Sequence, residues 1–322
     1  MGEALRDRLV VLVGGSGFFG AHLAQELLAR GARLRVVSRR PERAFRLKPL
    51  GNLGQIQFAR ADVTRPETLG PVLAGADAVV NLVGAFGGDL DAVQGAGAGR
   101  IAAAARAAGA GALVHVSAIG ADPEGATAYA RSKAAGEAAV RAAFAGATVL
   151  RPSVLFGPDD AFINLFAGLI ARLPALPVFG PEARLQPLFV DDAAAAVAAA
   201  LADPARHGGK TYELGGPEVI TMRALNRRIA AAQGRKRLFV ALPDAVSGAI
   251  AALTGWLPGA PLTSDQWRML NAGNVVSGAL PGLKQLGVAP RPLELFLDRW
   301  MVRYRKHGRF GKKEGYLGTV PK

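Results

Sequence analysis

Tyr129 and Lys133 stand one helical turn apart in Tyr129-Ala130-Arg131-Ser132-Lys133. On a helix this spacing sets a phenol and an ammonium on one face. A cation held near the phenol favours phenolate, so the pattern predicts a Tyr pKa below its usual value. Such a Tyr can pass a proton to or from a carbonyl or hydroxyl while a nicotinamide moves a hydride. Ser117 closes the apolar run Ala112–Ser117 and is placed to hydrogen-bond the same oxygen. Tyr-xxx-Lys also recurs by chance on exposed helices, so the pattern carries weight only downstream of a nucleotide-binding turn.

A turn of that kind lies near the start. Val10 to Val13 run into Gly14-Gly15-Ser16-Gly17-Phe18-Phe19-Gly20. Glycine at 14 suits a tight turn, at 17 close approach to a pyrophosphate, and at 20 close helix–strand packing. The helix that follows offers its free N–H groups to phosphate. Leu23, Leu27 and Leu28 give it one apolar face, and Gly31 is placed to end it. The next strand, Leu34–Val37, ends in Ser38-Arg39-Arg40. An NAD-binding chain carries an acid there, about 20 residues after the turn, for the ribose 2′-hydroxyl. Guanidinium groups instead fork onto a 2′-phosphate. The implied cofactor is NADP(H). A plain glycine-rich turn and a solvated basic loop are the alternatives.

The 322 residues suffice for one large domain or two smaller ones, and half are hydrophobic. With no cysteine, disulfides, thiolate metal sites and Cys nucleophiles are excluded. His22, His115, His207 and His307 show no ligand spacing, so no metal site is expected. The net charge is +14, yet no nucleic-acid module is recognisable. Basic residues concentrate late: Arg299, Arg303, Arg305, Lys306, Arg309, Lys312 and Lys313, interleaved with Trp300, Tyr304, Phe310 and Tyr316. Such a segment suits an anionic membrane surface, an acidic protein partner or a disordered solubilising tail. The charged N-terminus leads straight into a strand and shows no secretory signal. Ala245–Ser264 is uncharged and long enough to cross a bilayer, but Pro258, Gly259 and Pro261 break it. A helix over about Asp244–Leu257, in the core or on a membrane surface, is expected there rather than a transmembrane span.

The elements that must position these residues alternate. Strands are expected at Leu9–Val13, Leu34–Val37, Ile56–Arg60, Ala78–Val83, Ala112–Ser117 and Thr148–Leu150, with helices between them. This predicts an α/β fold, a Rossmann-type doubly wound parallel sheet, with a smaller, mostly helical C-terminal lobe. Residues 1–157 form the dinucleotide-binding domain, and 185–214 return to it through a strand at Lys210–Leu214. Residues 158–184 and 215–298 form the smaller lobe, and 299–322 a basic tail. Thr221 is a good N-cap for a helix through Ala232. Gly14 to Gly20, Arg39, Asp62-Val63, Gly84-Ala85, Ser117 and Pro152-Ser153 all fall at expected C-terminal strand ends, where such sheets bind ligands.

In this order the motifs resemble the short-chain dehydrogenase/reductase superfamily in its extended or atypical form. More closely, the chain is similar to the family of NADH:ubiquinone oxidoreductase (complex I) alpha-subcomplex subunit nine. The shared features include Gly14 to Gly20, Asn81-Leu82-Val83-Gly84, His115 to Ala121, Arg151-Pro152-Ser153 and Val190-Asp191-Asp192. Thr263 to Gln266 and Asn274 to Ser277 extend the match. The resemblance implies a tightly held NADPH with little or no turnover, in a structural or redox-sensing role. It also implies docking on the peripheral arm of complex I near the membrane. That is the cytoplasmic side of a bacterial inner membrane or the mitochondrial matrix side. By position, Gly14, Ser16, Gly17 and Phe18 would meet the pyrophosphate and Ser38, Arg39 and Arg40 the 2′-phosphate. Asp62 and Val63 would flank adenine, Lys133 the ribose, and Pro152 and Ser153 the nicotinamide. The alternative is a free NADPH-dependent reductase or epimerase using Ser117, Tyr129 and Lys133 on a quinone-related, lipid or sugar-like substrate. Two departures stand out. Ser117 and Tyr129 are only twelve positions apart, and no acid precedes Asn274.

Overall fold

A computed structural model describes residues 4–254 and 263–310. Two compact units emerge: residues 1–155, 188–215 and 276–290 form the first, and 156–187, 216–275 and 291–322 the second.

The first unit is built on strands β1 (Leu9–Val13), β2 (Arg33–Ser38), β3 (Ile56–Arg60), β4 (Ala78–Asn81), β5 (Ala112–Val116) and β6 (Thr148–Pro152). A seventh strand, Thr211–Leu214, completes the sheet. Their spatial order is Thr211–Leu214, β6, β5, β4, β1, β2, β3, and every pairing is parallel. Chain direction along the sheet reverses at β1, between β2 and β4, and an open α/β sheet binds ligands in the crevice at such a point.

Helices α1 (Phe18–Ala29), α2 (Leu69–Leu73), α3 (Ala96–Ala107) and α4 (Ala128–Ala143) cover the faces. Side chains alternate across a strand, so β1 serves two cores at once. Val10 and Leu12 join α1 and the helix Val190–Ala202 on one face. Val11 and Val13 join α2, α3 and α4 on the other. Burial on both faces explains why β1 reads as an unbroken apolar run.

The expected strand Ala78–Val83 stops at Asn81. There the Asn81 side chain turns back to accept from Val83 N at 3.0 Å. Residues 276–290, assigned from sequence to the smaller lobe, instead run with the first unit. Ser277 N donates to Glu213 Oε2, Glu213 N donates to Pro281 O, and Leu283 and Leu286 enter the core.

The second unit is smaller and mostly helical. Helix Met222–Ala232 starts at Thr221, whose hydroxyl accepts from Ala224 N. Strand Ala175–Val178 pairs with Leu238–Ala241 in parallel. The uncharged stretch gives a helix over Asp244–Thr254, and its proline-containing part lies outside the described residues. No helix among the described residues is long and apolar enough to cross a membrane. Residues 299–310 are not a detached tail: Met301 is buried, and Arg305 Nε donates to Ala232 O at 3.0 Å. Lys312, Lys313 and Tyr316 lie outside the described residues.

Candidate nucleotide and proton-transfer site

The glycine turn joins β1 to α1. Gly14 has φ +83°, a left-handed value that favours glycine, and its N–H donates to Val37 O at 2.8 Å. A Cβ at Gly20 would lie 2.3 Å from Gly15 O, so only glycine lets the helix approach the turn this closely. Gly17 is the N-cap in extended conformation. No side chain caps α1 and its first turn holds no acid, so the leading N–H groups are left for another acceptor. A Cβ at Gly17 would meet nothing nearer than Gly14 O at 4.0 Å. An open cradle at an uncapped helix N-terminus fits a pyrophosphate. Ser16 and Phe18 flank this opening. Sequence reasoning missed Arg46, whose Nη2 donates to Gly17 O at 3.3 Å from the segment Pro41–Leu50. Among Arg40, Arg43 and Lys48, nothing in the sequence set Arg46 apart.

At the end of β2, Ser38 Oγ is buried without a hydrogen-bond partner among the described residues. Arg39 and Arg40 beside it are exposed. Asp62 follows β3 and holds Thr64 through backbone N (3.0 Å) and hydroxyl (2.8 Å). Those two bonds, with Arg39 and Arg65 nearby, keep its carboxyl below the usual range. Val63 is buried next to it. An orphaned hydroxyl, two open guanidinium groups and a fixed carboxylate thus converge at the ends of β2 and β3. Arg39 and Arg40 suit a 2′-phosphate.

Lys133 is buried, and its Nζ donates to Val116 O at 3.4 Å, tying α4 to the residue before Ser117. Gly84 lies against the same ammonium: a Cβ there would sit 3.6 Å from Nζ. Burial pushes Lys133 down to about 8, opposed by the charge of Glu137. Burial also pushes Tyr129 up to about 12. The expected lowering of the Tyr129 pKa is therefore corrected. Lys133 Nζ stands 5.8 Å from the phenol ring centroid, over the face of the ring, and desolvation dominates. The Phe86 ring, three-quarters exposed, stacks on Tyr129 at 5.0 Å and 13°. Ser117 Oγ is buried with no partner among the described residues. Tyr129, Lys133 and Ser117 are thus gathered at the ends of β4 and β5 by way of α4, and no hydrogen bond joins the phenol to either of the others. Pro152 O accepts from Ile119 N at 3.1 Å, and Ser153 N donates to Leu214 O at 2.8 Å, so Pro152 closes β6 and Ser153 follows it.

Three buried polar groups position this end, in roles the sequence did not reveal. Gln94 accepts from Ala85 N at 3.1 Å and donates to Ser132 Oγ at 2.8 Å, linking the Gly84 loop to α4. Glu137 grips Arg151 with two bonds of 2.7 and 2.8 Å, fixing α4 to β6. His115 meets Asn81 Nδ2 at 3.0 Å through Nδ1. Because Asn81 Oδ1 already accepts from Val83 N, the amide donates to His115, and the imidazole proton belongs on Nε2. Burial drives His115 down to about 3, so the ring is neutral. Gln94 and Glu137 look like ordinary polar helix residues, and only tertiary packing selects them. His115 and Asn81 did stand in the quoted motifs. Among the described residues no cluster of His, Asp and Glu has a metal-binding arrangement.

Sheet order, glycine turn and strand-end residues define a Rossmann-type pyridine-nucleotide fold of the extended short-chain dehydrogenase/reductase kind. The chain belongs to the NAD dependent epimerase/dehydratase family, which it matches over residues 10–215. It is 31% identical over 317 residues to "NADH dehydrogenase [ubiquinone] 1 alpha subcomplex subunit 9, mitochondrial" of Arabidopsis thaliana, covering 93% of this chain and 79% of that one. The ceramide reductase of Caulobacter vibrioides is 35% identical over 196 residues, with 59% of this chain and 60% of that one covered. Among solved structures, a Citrobacter triphenylmethane reductase complexed with NADP(H) shares the fold with a TM-score of 0.73 at 19% identity, covering 91% of this chain and 99% of that one.

Proposed function

We propose that this chain holds NADPH as an accessory subunit of respiratory complex I, in a structural or redox-sensing role with little turnover. It would sit peripherally, against the peripheral arm, on the matrix side in a mitochondrion or the cytoplasmic side in a bacterium. The observation that carries this reading is 31% identity to a complex I subunit across 93% of the chain. Burial that raises the Tyr129 pKa makes the phenol a weaker proton donor and supports low turnover. The α1 N-terminus with Gly14, Ser16, Gly17, Phe18 and Gly20 would hold the pyrophosphate. Ser38, Arg39 and Arg40 would hold the 2′-phosphate, and Asp62 and Val63 the adenine. Gly84, Lys133, Pro152 and Ser153 would surround the ribose and nicotinamide. Bound there, NADPH supplies a hydride. The test is purification in mild detergent: the chain should travel with complex I and carry NADPH. Consistent absence from the complex, or bound NAD(H), overturns this reading.

A second reading is favoured by the gathered Ser117, Tyr129 and Lys133. In a free reductase or epimerase, Ser117 Oγ, lacking an internal partner, would bond the substrate oxygen, and Tyr129 would exchange a proton with it. Lys133 would hold the ribose and assist the phenol. The ceramide reductase relative supports this reading. Purified protein should then oxidise NADPH with a carbonyl substrate, and Tyr129→Phe should abolish the reaction. Equal rates in variant and parent would remove Tyr129 from the mechanism.

A further inference from the structure

The second unit carries a groove of about 1,100 Å³ that the nucleotide site does not use. Seven Arg or Lys side chains line it against two carboxylates, Glu294 and Asp298. Helix Met222–Ala232 and the chain leaving it supply five of the cations, and the segment around residue 305 the other two. Sequence reading had singled out only the late basic residues, so most of this charge was unanticipated.

How each cation is held decides what the groove can bind. Glu218 neutralises Arg228 through contacts of 2.7 and 2.8 Å. Arg235 donates to Tyr304 O, Arg237 to Ile170 O and Arg305 to Ala232 O. Those backbone oxygens fix the guanidinium groups without cancelling their charge; among the described residues only Arg305 also meets a carboxylate, with Nη2 3.8 Å from Asp298 Oδ1. Arg227, Lys236 and Lys306 are exposed, and no carboxylate among the described residues reaches them. The groove thus presents rigid positive walls and three free cations, a surface complementary to several phosphate charges.

Exposed apolar side chains accompany this charge. Phe310 lines the groove at 91% exposure. Leu238, next to Arg237, and Leu295, next to Glu294, are each 65% exposed. A soluble phosphate would leave these side chains in water, whereas the headgroup layer of a bilayer would take cations and apolar tips together. We infer that this groove binds the phosphate headgroups of anionic phospholipids at a bilayer surface. The inference rests on the peripheral-membrane placement proposed above and names the surface that would carry it.

Flotation of the full-length protein with vesicles tests the inference. Phosphatidylcholine vesicles containing phosphatidylglycerol should bind it, phosphatidylcholine alone should not, and added salt should weaken the binding. Arg227→Glu/Lys236→Glu/Lys306→Glu removes only side chains that have no partner among the described residues. It should lower vesicle binding more than tenfold, with bound NADPH and thermal midpoint unchanged. Phe310→Ser should weaken vesicle binding severalfold and leave binding of inorganic pyrophosphate as it was. Parent-like flotation of the triple variant overturns the inference. So does a parent that binds pyrophosphate but no vesicle. A protein that floats with anionic vesicles yet never travels with complex I breaks the subunit reading alone. One that travels with complex I and carries NADPH, but ignores anionic vesicles, breaks the groove alone.

Discussion

The two ends of the nucleotide site are built in opposite ways. At the glycine turn the backbone does the work: Gly14, Gly17 and Gly20 shape an open cradle, and the helix leaves its N–H groups unclaimed. At the Tyr129 end, side chains do it. Lys133, Glu137, Gln94 and His115 are buried, and an aromatic ring covers the phenol. Backbone rules act locally and show in sequence. Side-chain burial is decided by whatever the fold packs alongside. The contrast also separates the two proposed roles: one end leaves N–H groups open to an anion, while burial at the other disfavours the charged forms of Tyr129 and Lys133.

The sharpest way to break this contrast is at Gly20. Gly20→Val places a Cβ against Gly15 O. It should cost about 3 kcal/mol of stability or more and abolish nucleotide retention, as thermal denaturation and analysis of bound nucleotide would show. Next comes the phosphate preference. Arg39→Ala/Arg40→Ala should lower the ratio of NADPH to NADH affinity roughly a hundredfold, measured by fluorescence titration with both nucleotides. An unchanged ratio would return the pair to the status of a solvated loop. Third, Glu137→Ala leaves Arg151 without its partner. Because Arg151 is a fifth exposed, water can partly replace the carboxylate, and the loss should be about 2 kcal/mol in urea unfolding.

The pH dependence probes the buried end directly. Folded Lys133 has its pKa lowered from 10.5 to about 8. Above pH 8 the unfolded chain therefore binds more protons than the folded one at this group, and stability rises with pH. The gain runs from about pH 8 towards 10, with a slope of at most about 1.4 kcal/mol per pH unit. Tyr129, raised from 10.0 to about 12, acts oppositely above pH 10, where the folded state retains the extra proton. Lys133→Met should erase the rise between pH 8 and 10 in urea midpoints; a rise that persists would assign it to other groups. The smallest effect is expected from Phe86→Ala. Loss of an exposed ring stack should cost about 0.5 kcal/mol, while turnover of NADPH with small carbonyls should rise if the ring restricts access to Tyr129.

Legibility follows the same division. Five-residue apolar runs such as Leu9–Val13 announce strands buried on both faces, and the Gly14 to Gly20 spacing needs no partner to be read. Thr221 was readable as a cap because its hydroxyl bonds three residues ahead. By contrast, the phenol's raised pKa comes from burial, which the four-residue spacing does not encode. Gln94 and Glu137 act 38 and 14 residues away in sequence, on Ser132 and Arg151. The return of residues 276–290 was equally hidden, because its anchors, Glu213 and the core around Leu283, are set by topology.

That return governs the order in which the molecule can be completed during synthesis. The edge strand Thr211–Leu214 pairs with β6 on one side and is held on the other by Ser277 and Pro281. A nascent chain that has already displayed the glycine turn, both arginines and Tyr129 still lacks the segment that seals the sheet edge and delivers Leu283 and Leu286 to the core. Contacts of such long sequence separation form late. A ribosome-bound chain ending near residue 275 would therefore expose an unprotected strand edge, the kind of surface that chaperones recognise and that otherwise aggregates.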